Sequence, residues 1–383
     1  MEIYLDNSAT TQPYPEVIEA MAESMRSGYY NPSALYKKAV DAERALEEAR
    51  AVIAAPLSMK PDNVVFTSGG TESNNLGILG HLKQLKGGGT VLYSAAEHAA
   101  VRSACLEAET MGFAVKRIPL DGRGSLDLRA LEGMLDSSVK LICVMQVSNE
   151  TGVVMPLSQV VNLRGRLAPQ AAIHVDGVQG YLRVPLSMKQ LSIQSYAVSA
   201  HKVHGPKGVG ALIVRDGHTL RPIIVGGGHQ RGLRAGTDNT VGAAGFAAAV
   251  KAYQPAAYQT LRGLKAETAK GILDAIPGAV IIGPKPEDAD SAYHILCVSL
   301  PPVKAETMVH ALESENVIVG TGSACSSRSR KYSVALTAMG LSETVMGSAI
   351  RISFSLQNTR KEIQTAVQVI AAQYRVLSKF TRR

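Results

Sequence analysis

The fold is first indicated by the stretch Val64-Val65-Phe66-Thr67-Ser68-Gly69-Gly70-Thr71-Glu72-Ser73-Asn74-Asn75. It consists of an apolar run, a glycine turn and the start of a helical segment. The first four residues are β-branched or aromatic, which favours a strand. The paired glycines allow a tight turn before the helix starts. A strand followed by a helix is the repeating unit of parallel α/β proteins.

The same alternation continues to about residue 215. Six further strands are predicted at 90–94, 114–118, 140–147, 171–175, 195–199 and 210–214, with helices such as 99–111 and 126–135 between most of them. We therefore predict an α/β fold with a mainly parallel seven-stranded sheet and helices on both faces. Ligands of such sheets bind beyond the carboxyl ends of the strands, so the residues just after each strand are candidates for chemistry.

The pattern changes beyond residue 250. A charged helical stretch at 258–275 precedes strands predicted at 279–282, 293–300, 317–319 and 350–355 and a closing helix at 359–380. The chain has 383 residues, more than the roughly 250–300 that a single core usually serves. We predict a large domain at 14–253 and a smaller α+β domain formed by 254–383 with an N-terminal arm, 1–13.

Composition excludes several classes of protein. The net charge is +8, but the basic residues are scattered, so we expect no direct nucleic-acid binding. The N-terminus carries acids where a signal peptide needs basic and apolar residues, and no apolar run reaches the ~18 residues of a membrane helix. The apolar stretch 241–250 is predicted to be a packed helix. The four cysteines lack paired spacing, which predicts neither a zinc site nor a disulfide framework and fits a reducing cytoplasm.

The glycine turn after the first predicted strand is a candidate phosphate site. Backbone N–H groups at a helix N-terminus bind phosphate without a lysine. The turn lacks the Gly-Lys-Ser/Thr of a nucleotide P-loop, which disfavours nucleotide binding. A plain helix-capping turn is the alternative.

A lysine and an acid follow two other strands. Lys202 lies in the glycine-rich segment 199–208, where partial burial would lower the pKa of a lysine amine and make it a nucleophile. A solvated lysine is the alternative. Ser199 and His201 flank it as candidate phosphate donors, and Lys207 lies in what we predict to be an exposed turn. Asp176 follows the strand 171–175, with Gln179 three residues on. An acid there either caps a helix or pairs with a protonated ring nitrogen.

Two further strand ends complete the pattern. His98 follows the strand 90–94 and could stack on a ring and carry protons. Asn149 follows Val147 and could bond a cofactor's phenolic oxygen or the substrate. A phosphate turn, an acid and a lysine at the ends of three strands of one sheet predict a pyridoxal 5'-phosphate (PLP) site.

The second half of the chain contributes a cysteine and an arginine. Cys143 and Cys297 lie within apolar strand patterns and Cys105 on a helix, which predicts burial. Cys325 lies in a small, polar loop near Arg328 and Arg330, which would favour a thiolate, although an incidental loop cysteine is the alternative. Arg351 is a charge within an apolar strand, and a substrate carboxylate is a good partner for it.

These residues resemble those of the cysteine desulfurases of the class V aminotransferase family, over nearly the whole chain. The matching stretches are Tyr4-Leu5-Asp6-Asn7-Ser8-Ala9-Thr10-Thr11, 67–75, Glu97-His98, Asn149-Glu150-Thr151-Gly152, His174-Val175-Asp176-Gly177-Val178-Gln179, 199–208, 226–237 and Gly322-Ser323-Ala324-Cys325. The last stretch is similar to the subgroup with a longer cysteine loop. The resemblance implies the fold of type I PLP-dependent transferases.

The resemblance also implies a role for each matched residue. Lys202 would bind PLP covalently, Asp176 would pair with the ring nitrogen, Gln179 would bond the phenolic oxygen and His98 would stack on the ring. The phosphate ligands would be Gly70, Thr71, Ser199 and His201.

The remaining roles concern the substrate, the sulphur and the partners. Asn149 and Arg351 would hold the carboxylate of L-cysteine, and Cys325 would take its sulphur as a persulfide, leaving L-alanine. Thr237 would reach the phosphate of a neighbouring subunit, which implies a homodimer. The persulfide would pass to a protein acceptor serving iron–sulphur cluster assembly or tRNA or cofactor thiolation.

The chain departs from its relatives at two places. Tyr36 and Ala39 stand where relatives usually have His and Gly, and the stretch Arg328-Ser329-Arg330-Lys331 is unusually basic, which leaves the acceptor open. The alternatives are a selenocysteine lyase or a class V aminotransferase, which share the PLP site, and a non-catalytic sulphur carrier. A nucleotide-binding protein is a more distant one.

Overall fold

The computed structural model describes residues 2–86, 88–321 and 332–380. The strands are β1 (Ile3–Leu5), β2 (Val64–Thr67), β3 (Thr90–Ser94), β4 (Ala114–Ile118), β5 (Val139–Met145), β6 (Ala172–Asp176), β7 (Ser195–Ser199), β8 (Gly210–Val214), β9 (Val280–Ile282), β10 (Ile295–Ser299), β11 (Val317–Thr321) and β12 (Ala349–Ser353). The helices are α1 (Pro15–Ser27), α2 (Lys37–Ala54), α3 (Gly70–Leu82), α4 (Ala99–Glu107), α5 (Leu128–Met134), α6 (Leu157–Leu167), α7 (Met188–Leu191), α8 (Thr240–Ala252), α9 (Thr260–Ala275), α10 (Ala305–Ser314), α11 (Val334–Ala338), α12 (Glu343–Gly347) and α13 (Arg360–Leu377).

The larger sheet has seven strands in the order β2-β8-β7-β6-β5-β3-β4. Only β8 runs against the others, since it pairs antiparallel with both β2 and β7 while the remaining pairs are parallel. The prediction of a mainly parallel seven-stranded sheet is confirmed. The predicted strand 140–147 ends earlier, at Met145, because Val147 leaves the ladder and forms an isolated bridge with Val154.

Burial along the strands is typical of a mainly parallel sheet. All residues of β3, β6, β7 and β8 are buried, as expected when helices cover both faces. The edge strand β4 differs, because Lys116 and Arg117 are exposed on it, and charged residues discourage pairing with another chain at a sheet edge. The carboxyl ends of β3, β5, β6 and β7 consequently lie along one edge of a rigid, buried layer.

The smaller sheet has the order β1-β11-β12-β10-β9. β1 is parallel to β11, and the other pairs are antiparallel. Helices α9, α10 and α13 pack over it through a separate apolar core. The N-terminal strand therefore belongs to the smaller sheet, while the exact bounds of the two domains stay a prediction.

The apolar stretch 241–250 lies within α8, which packs against α1 and α2. The prediction of a packed helix is thus confirmed. Within the described ranges, no helix combines the length and the apolarity needed to cross a membrane.

Candidate active site

A cavity of about 340 Å³ opens at the carboxyl ends of the parallel strands. All but two of the predicted site residues line it. They are Gly70, Thr71, His98, Asn149, Asp176, Gln179, Ser199, His201, Lys202 and Arg351. Residues distant in sequence meet here because each follows a strand of one sheet or, for Arg351, lies on β12 of the other.

The turn before α3 supplies backbone N–H groups to this cavity. Gly69 precedes the helix with φ of +152°, a conformation that favours glycine, and no side chain caps the helix. A Cβ on Gly70 would come 2.8 Å from Val178 Cγ2. The first N–H groups of α3 thus face a position suited to an anion.

Asp176 ends β6 in a buried position. Its carboxylate accepts hydrogen bonds from Asn74 Nδ2 at 2.9 Å and from the Val178 N–H at 3.0 Å. Burial raises the pKa of Asp176, while nearby His98 lowers it. A cation against this carboxylate would stabilise its ionised form.

Asn74 is a site residue that the sequence analysis missed. Its Oδ1 lies 2.9 Å from His174 Nε2, and His174 Nδ1 lies 2.8 Å from Ser195 Oγ. Burial lowers the pKa of His174 to about 3, so the ring is neutral. This chain of hydrogen bonds orients the Asn74 amide toward Asp176. A polar residue on the buried face of α3 was the available signal.

His98 caps the N-terminus of α4 through its ring. The Ala100 N–H donates to Nδ1 at 3.1 Å, so the neutral ring carries its proton on Nε2. Burial lowers the pKa of His98. The predicted proton carrier is therefore a neutral imidazole whose exchangeable proton lies on Nε2.

Lys202 is held by residues of the N-terminal arm, within the segment 6–12. Its Nζ donates to Ser8 O at 2.6 Å and to Ala9 O at 2.7 Å. The arm is anchored at its other side by the Ser8 N–H, which donates to Ser353 Oγ at 2.9 Å. Thr11 N donates to His201 O at 2.9 Å. The arm thus connects β12 with the segment that carries the lysine.

Gln179 and His201 also contact the arm. Gln179 Nε2 donates to Ser8 O at 3.0 Å, and His201 Nδ1 lies 3.2 Å from Thr10 Oγ1. Burial lowers the pKa of His201 to about 4, so its ring is neutral. Lys207 is exposed, as predicted. The arm is one of the stretches that carry the family resemblance, but no role was predicted for its residues. Its run of small polar residues after β1 was a signal for a place in the site.

Arg351 is nearly buried, with 6% of its side chain exposed. Its Nη1 donates to Asn149 O at 3.0 Å, and its Nη2 donates to Asp6 Oδ1 at 2.8 Å. The predicted partner of Arg351 was a substrate carboxylate. In the structure, Asp6 of the N-terminal arm already contacts this guanidinium.

Two predicted site residues are not in the cavity lining. Thr237 is exposed, and its predicted contact involves a neighbouring subunit. Cys325, like Arg328, Arg330 and Lys331, lies outside the described residues.

The described residues on either side of the segment 322–331 both contact site residues. Gly320 pairs in register with Arg351. Ser333 Oγ donates to Glu150 Oε2, directly after Asn149. Burial raises the pKa of Glu150 to about 7.

The other cysteines are packing residues, as predicted. Cys105, Cys143 and Cys297 are fully buried, and burial raises the pKa of the Cys143 and Cys297 thiols. Cys105 Sγ lies 3.6 Å from Cys143 Sγ, between α4 and β5. Burial of this kind does not favour a reactive thiolate at these three positions.

Comparison with known proteins agrees with this geometry. The model of the family "Aminotransferase class-V" matches residues 3–365. The chain is 35% identical to "Cysteine desulfurase 2" of Trichormus variabilis over 99% of this chain and 95% of that protein. A solved "NifS-like protein" is similar with a TM-score of 0.92 and 32% identity, covering 98% of this chain and all of that one. A structure described as "SspA in complex with cysteine" covers 94% of this chain and all of that one, with a TM-score of 0.82 and 30% identity. The chain belongs to the class V aminotransferase family.

Proposed function

We propose that this protein is a PLP-dependent cysteine desulfurase, which converts L-cysteine to L-alanine and transfers the sulphur to Cys325. The observation that carries the proposal is the convergence of Lys202, Asp176 and the uncapped start of α3 on one cavity. Relatives named cysteine desulfurases and a similar structure in complex with cysteine support the choice of substrate.

The residues of the cavity fit PLP. The cofactor's phosphate requires N–H and hydroxyl donors, which the start of α3 and Ser199 offer. Its ring nitrogen requires an acid, and Asp176 is a buried carboxylate whose charge a cation would stabilise. Its aldehyde requires an amine, which is Lys202 Nζ. When bound, PLP withdraws electrons from the amino acid and makes its α and β positions acidic.

Lys202 and His98 are the candidate proton carriers among the residues that line the cavity. Lys202 Nζ is fixed by two carbonyl oxygens of the N-terminal arm, and His98 Nε2 carries the ring proton because Nδ1 accepts from Ala100. We assign the proton transfers at the substrate carbons to these two groups. Arg351 and Asn149 bind the substrate carboxylate, which fixes the amino acid at one end of the cavity.

Cys325 is the sulphur acceptor in this proposal. Its thiolate attacks the substrate's sulphur, an S–S bond forms and the Cβ–S bond breaks. Cβ is reduced and takes a proton to become the methyl group of L-alanine, while the two sulphurs become a persulfide. The transfer balances without an external oxidant. The contacts of Gly320 and Ser333 with the site support this role, because the segment 322–331 lies between them in sequence.

The test uses purified protein loaded with PLP. L-Cysteine is added with a thiol reductant, and L-alanine and sulphide are measured together. The proposal predicts equal amounts of both products. A protein that binds the cofactor yet forms no alanine, or that transfers the amino group to a keto acid, would be an aminotransferase instead. L-Selenocysteine in the same assay separates a desulfurase from a selenocysteine lyase.

We further propose that the active form is a homodimer. Large apolar side chains are exposed on α1, on the segment 28–36 and before the loop of Thr237, and they include Met25, Tyr29, Leu35, Ile224 and Val225. Leu35 is fully exposed and Val225 is 79% exposed. Exposed apolar side chains in this number favour an interface, and Thr237 would then reach the partner's phosphate site. Light scattering should show a dimer that Val225→Asp weakens. A wild-type monomer with full activity would contradict this.

The remaining assignments are also proposals. The sulphur passes from Cys325 to a protein acceptor of iron–sulphur cluster assembly or of thiolation, and the protein acts in the cytoplasm. A pull-down with the persulfide-loaded enzyme as bait identifies the acceptor, and labelled sulphur shows whether the captured protein accepts it.

A further inference from the structure

Asp6 and Arg351 form an ion pair at the edge of the cavity. Their Oδ1 and Nη2 atoms are 2.8 Å apart, and the side chains are 18% and 6% exposed. Asp6 directly follows β1 and forms a parallel bridge with Ser353, two residues after Arg351 on β12. The acid is therefore fixed by backbone pairing as well as by its side chain.

Gly320 encloses this ion pair. The residue is opposite Arg351 in the β11–β12 register. A Cβ at this position would lie 2.7 Å from Asp6 Oδ1 and 3.0 Å from Arg351 Nη2. A side chain at this position would therefore force the ion pair to shift.

The guanidinium of Arg351 makes hydrogen bonds through both of its Nη atoms. Arginine has five N–H donors in a planar fork, and bidentate binding of a carboxylate requires the plane to be correctly rotated. Asn149 O and Asp6 Oδ1 each occupy one donor, on Nη1 and Nη2 respectively. The Arg351 Nε atom is buried and makes no hydrogen bond to the described part of the chain. Donors thus remain for another acceptor.

We propose that Asp6 is a positioning residue that orients Arg351 for the substrate carboxylate. This inference rests on the proposed function, since it takes Arg351 as the carboxylate-binding group. Asp6 holds the plane of the guanidinium while Gly320 provides the space for both groups. Glu150 also interacts electrostatically with Arg351, but the direct contact is with Asp6.

The test is a double-mutant cycle on the holoenzyme with Asp6→Ala, Arg351→Lys and the double variant. KM for L-cysteine and kcat are measured, together with the dissociation constant of L-alanine by calorimetry. Glu2→Ala is the matched control, because it removes an exposed acid close to Asp6 in sequence. Asp6→Asn keeps an oxygen acceptor and removes only the charge.

Asp6→Ala should raise KM and the L-alanine dissociation constant about ten-fold with little change in kcat, and Asp6→Asn should raise them less. Adding Asp6→Ala to Arg351→Lys should have little further effect, because the acid acts through the arginine. Gly320→Ala should reproduce the Asp6→Ala result. Should Asp6→Ala not fold, Gly320→Ala and Asp6→Asn carry the same test.

Independent, multiplying effects of the two substitutions would overturn the inference. It would also be overturned if Asp6→Ala lowered kcat and thermal stability while leaving both binding constants unchanged, because that pattern indicates a purely structural role. Failure of the proposed function is seen separately. In that case wild-type protein forms no alanine, whereas the calorimetric cycle still reports whether Asp6 and Arg351 act as a unit.

Discussion

Lys202 Nζ lies 2.6 Å from the carbonyl oxygen of Ser8, so the candidate cofactor lysine is in direct contact with the N-terminal arm. Ser8 in turn donates from its N–H to Ser353 Oγ on β12. The two sheets of the molecule therefore meet at the amine that carries the proposed chemistry.

Removing this amine should abolish covalent cofactor binding. Lys202→Ala is expected to lower turnover at least about a thousand-fold, because no other amine in the segment replaces it. The cofactor absorbance of the purified protein should lose the band of the covalently bound form. Lys207→Ala is the control, since Lys207 is exposed in the same segment. Equal loss in both variants would contradict the assignment of Lys202.

A methyl group at Gly70 should weaken cofactor binding. The added Cβ would lie 2.8 Å from Val178 Cγ2, so either Val178 or the start of α3 must shift beside the proposed phosphate position. Gly70→Ala should raise the PLP dissociation constant about ten-fold or more, measured by absorbance titration of the cofactor-free protein. Gly165→Ala in α6, where a Cβ meets nothing within 4 Å, should leave binding unchanged. Unchanged binding in Gly70→Ala would remove the phosphate assignment.

Replacing Asn74 should lower both the stability of the protein and its affinity for PLP. Asn74→Ala removes one buried hydrogen bond of Asp176 and one of His174. We expect a loss of about 2 kcal/mol in the free energy of unfolding and a weaker affinity for PLP. Asn75→Ala is the control, because Asn75 is half-buried and its amide donates to Thr71 O within its own helix. Equal denaturation midpoints in the two variants would argue against a stabilising role for the hydrogen bonds of Asn74 with Asp176 and His174.

The protonation of Glu150 should make stability depend on pH. Its pKa is raised from 4.5 to about 7, so the folded protein binds a proton more tightly than the unfolded chain does. This contribution to stability is complete below about pH 4.5 and is lost as the pH rises through 7. Glu150→Gln cannot ionise, so its advantage over wild type should grow to about 2 kcal/mol between pH 5 and pH 8.5. Urea denaturation at both pH values measures this difference. An advantage that is the same at both pH values would contradict the prediction.

The residues at the strand ends could be predicted from sequence because strand–helix alternation defines where they lie. Asp176, His98 and Lys202 each follow an apolar run, and a parallel sheet brings such positions to one edge. Strand lengths could not be predicted fully, as Val147 shows, because its bridge to Val154 depends on the local turn.

The contacts of the N-terminal arm and of Asn74 could not be predicted in the same way. Ser8 binds Lys202 through its backbone, which carries no sequence signal, and the two residues are far apart along the chain. Asn74 was not predicted as a site residue, because the stretch that contains it was interpreted only as a phosphate turn at the start of a helix. Asp6 and Arg351 could each be singled out in the sequence. Their ion pair could not be predicted, because it depends on the registers of three strands.

The most direct test of the central claim is a single turnover of the holoenzyme with L-cysteine, followed by mass spectrometry of the protein. Wild type should gain one sulphur atom on Cys325 for each L-alanine formed. Cys325→Ala should bind the cofactor normally but gain no sulphur and form almost no alanine. Cys105→Ala, which changes a buried cysteine, should behave as wild type does. Full alanine formation by Cys325→Ala would show that the sulphur does not pass through this residue and would contradict the proposed function.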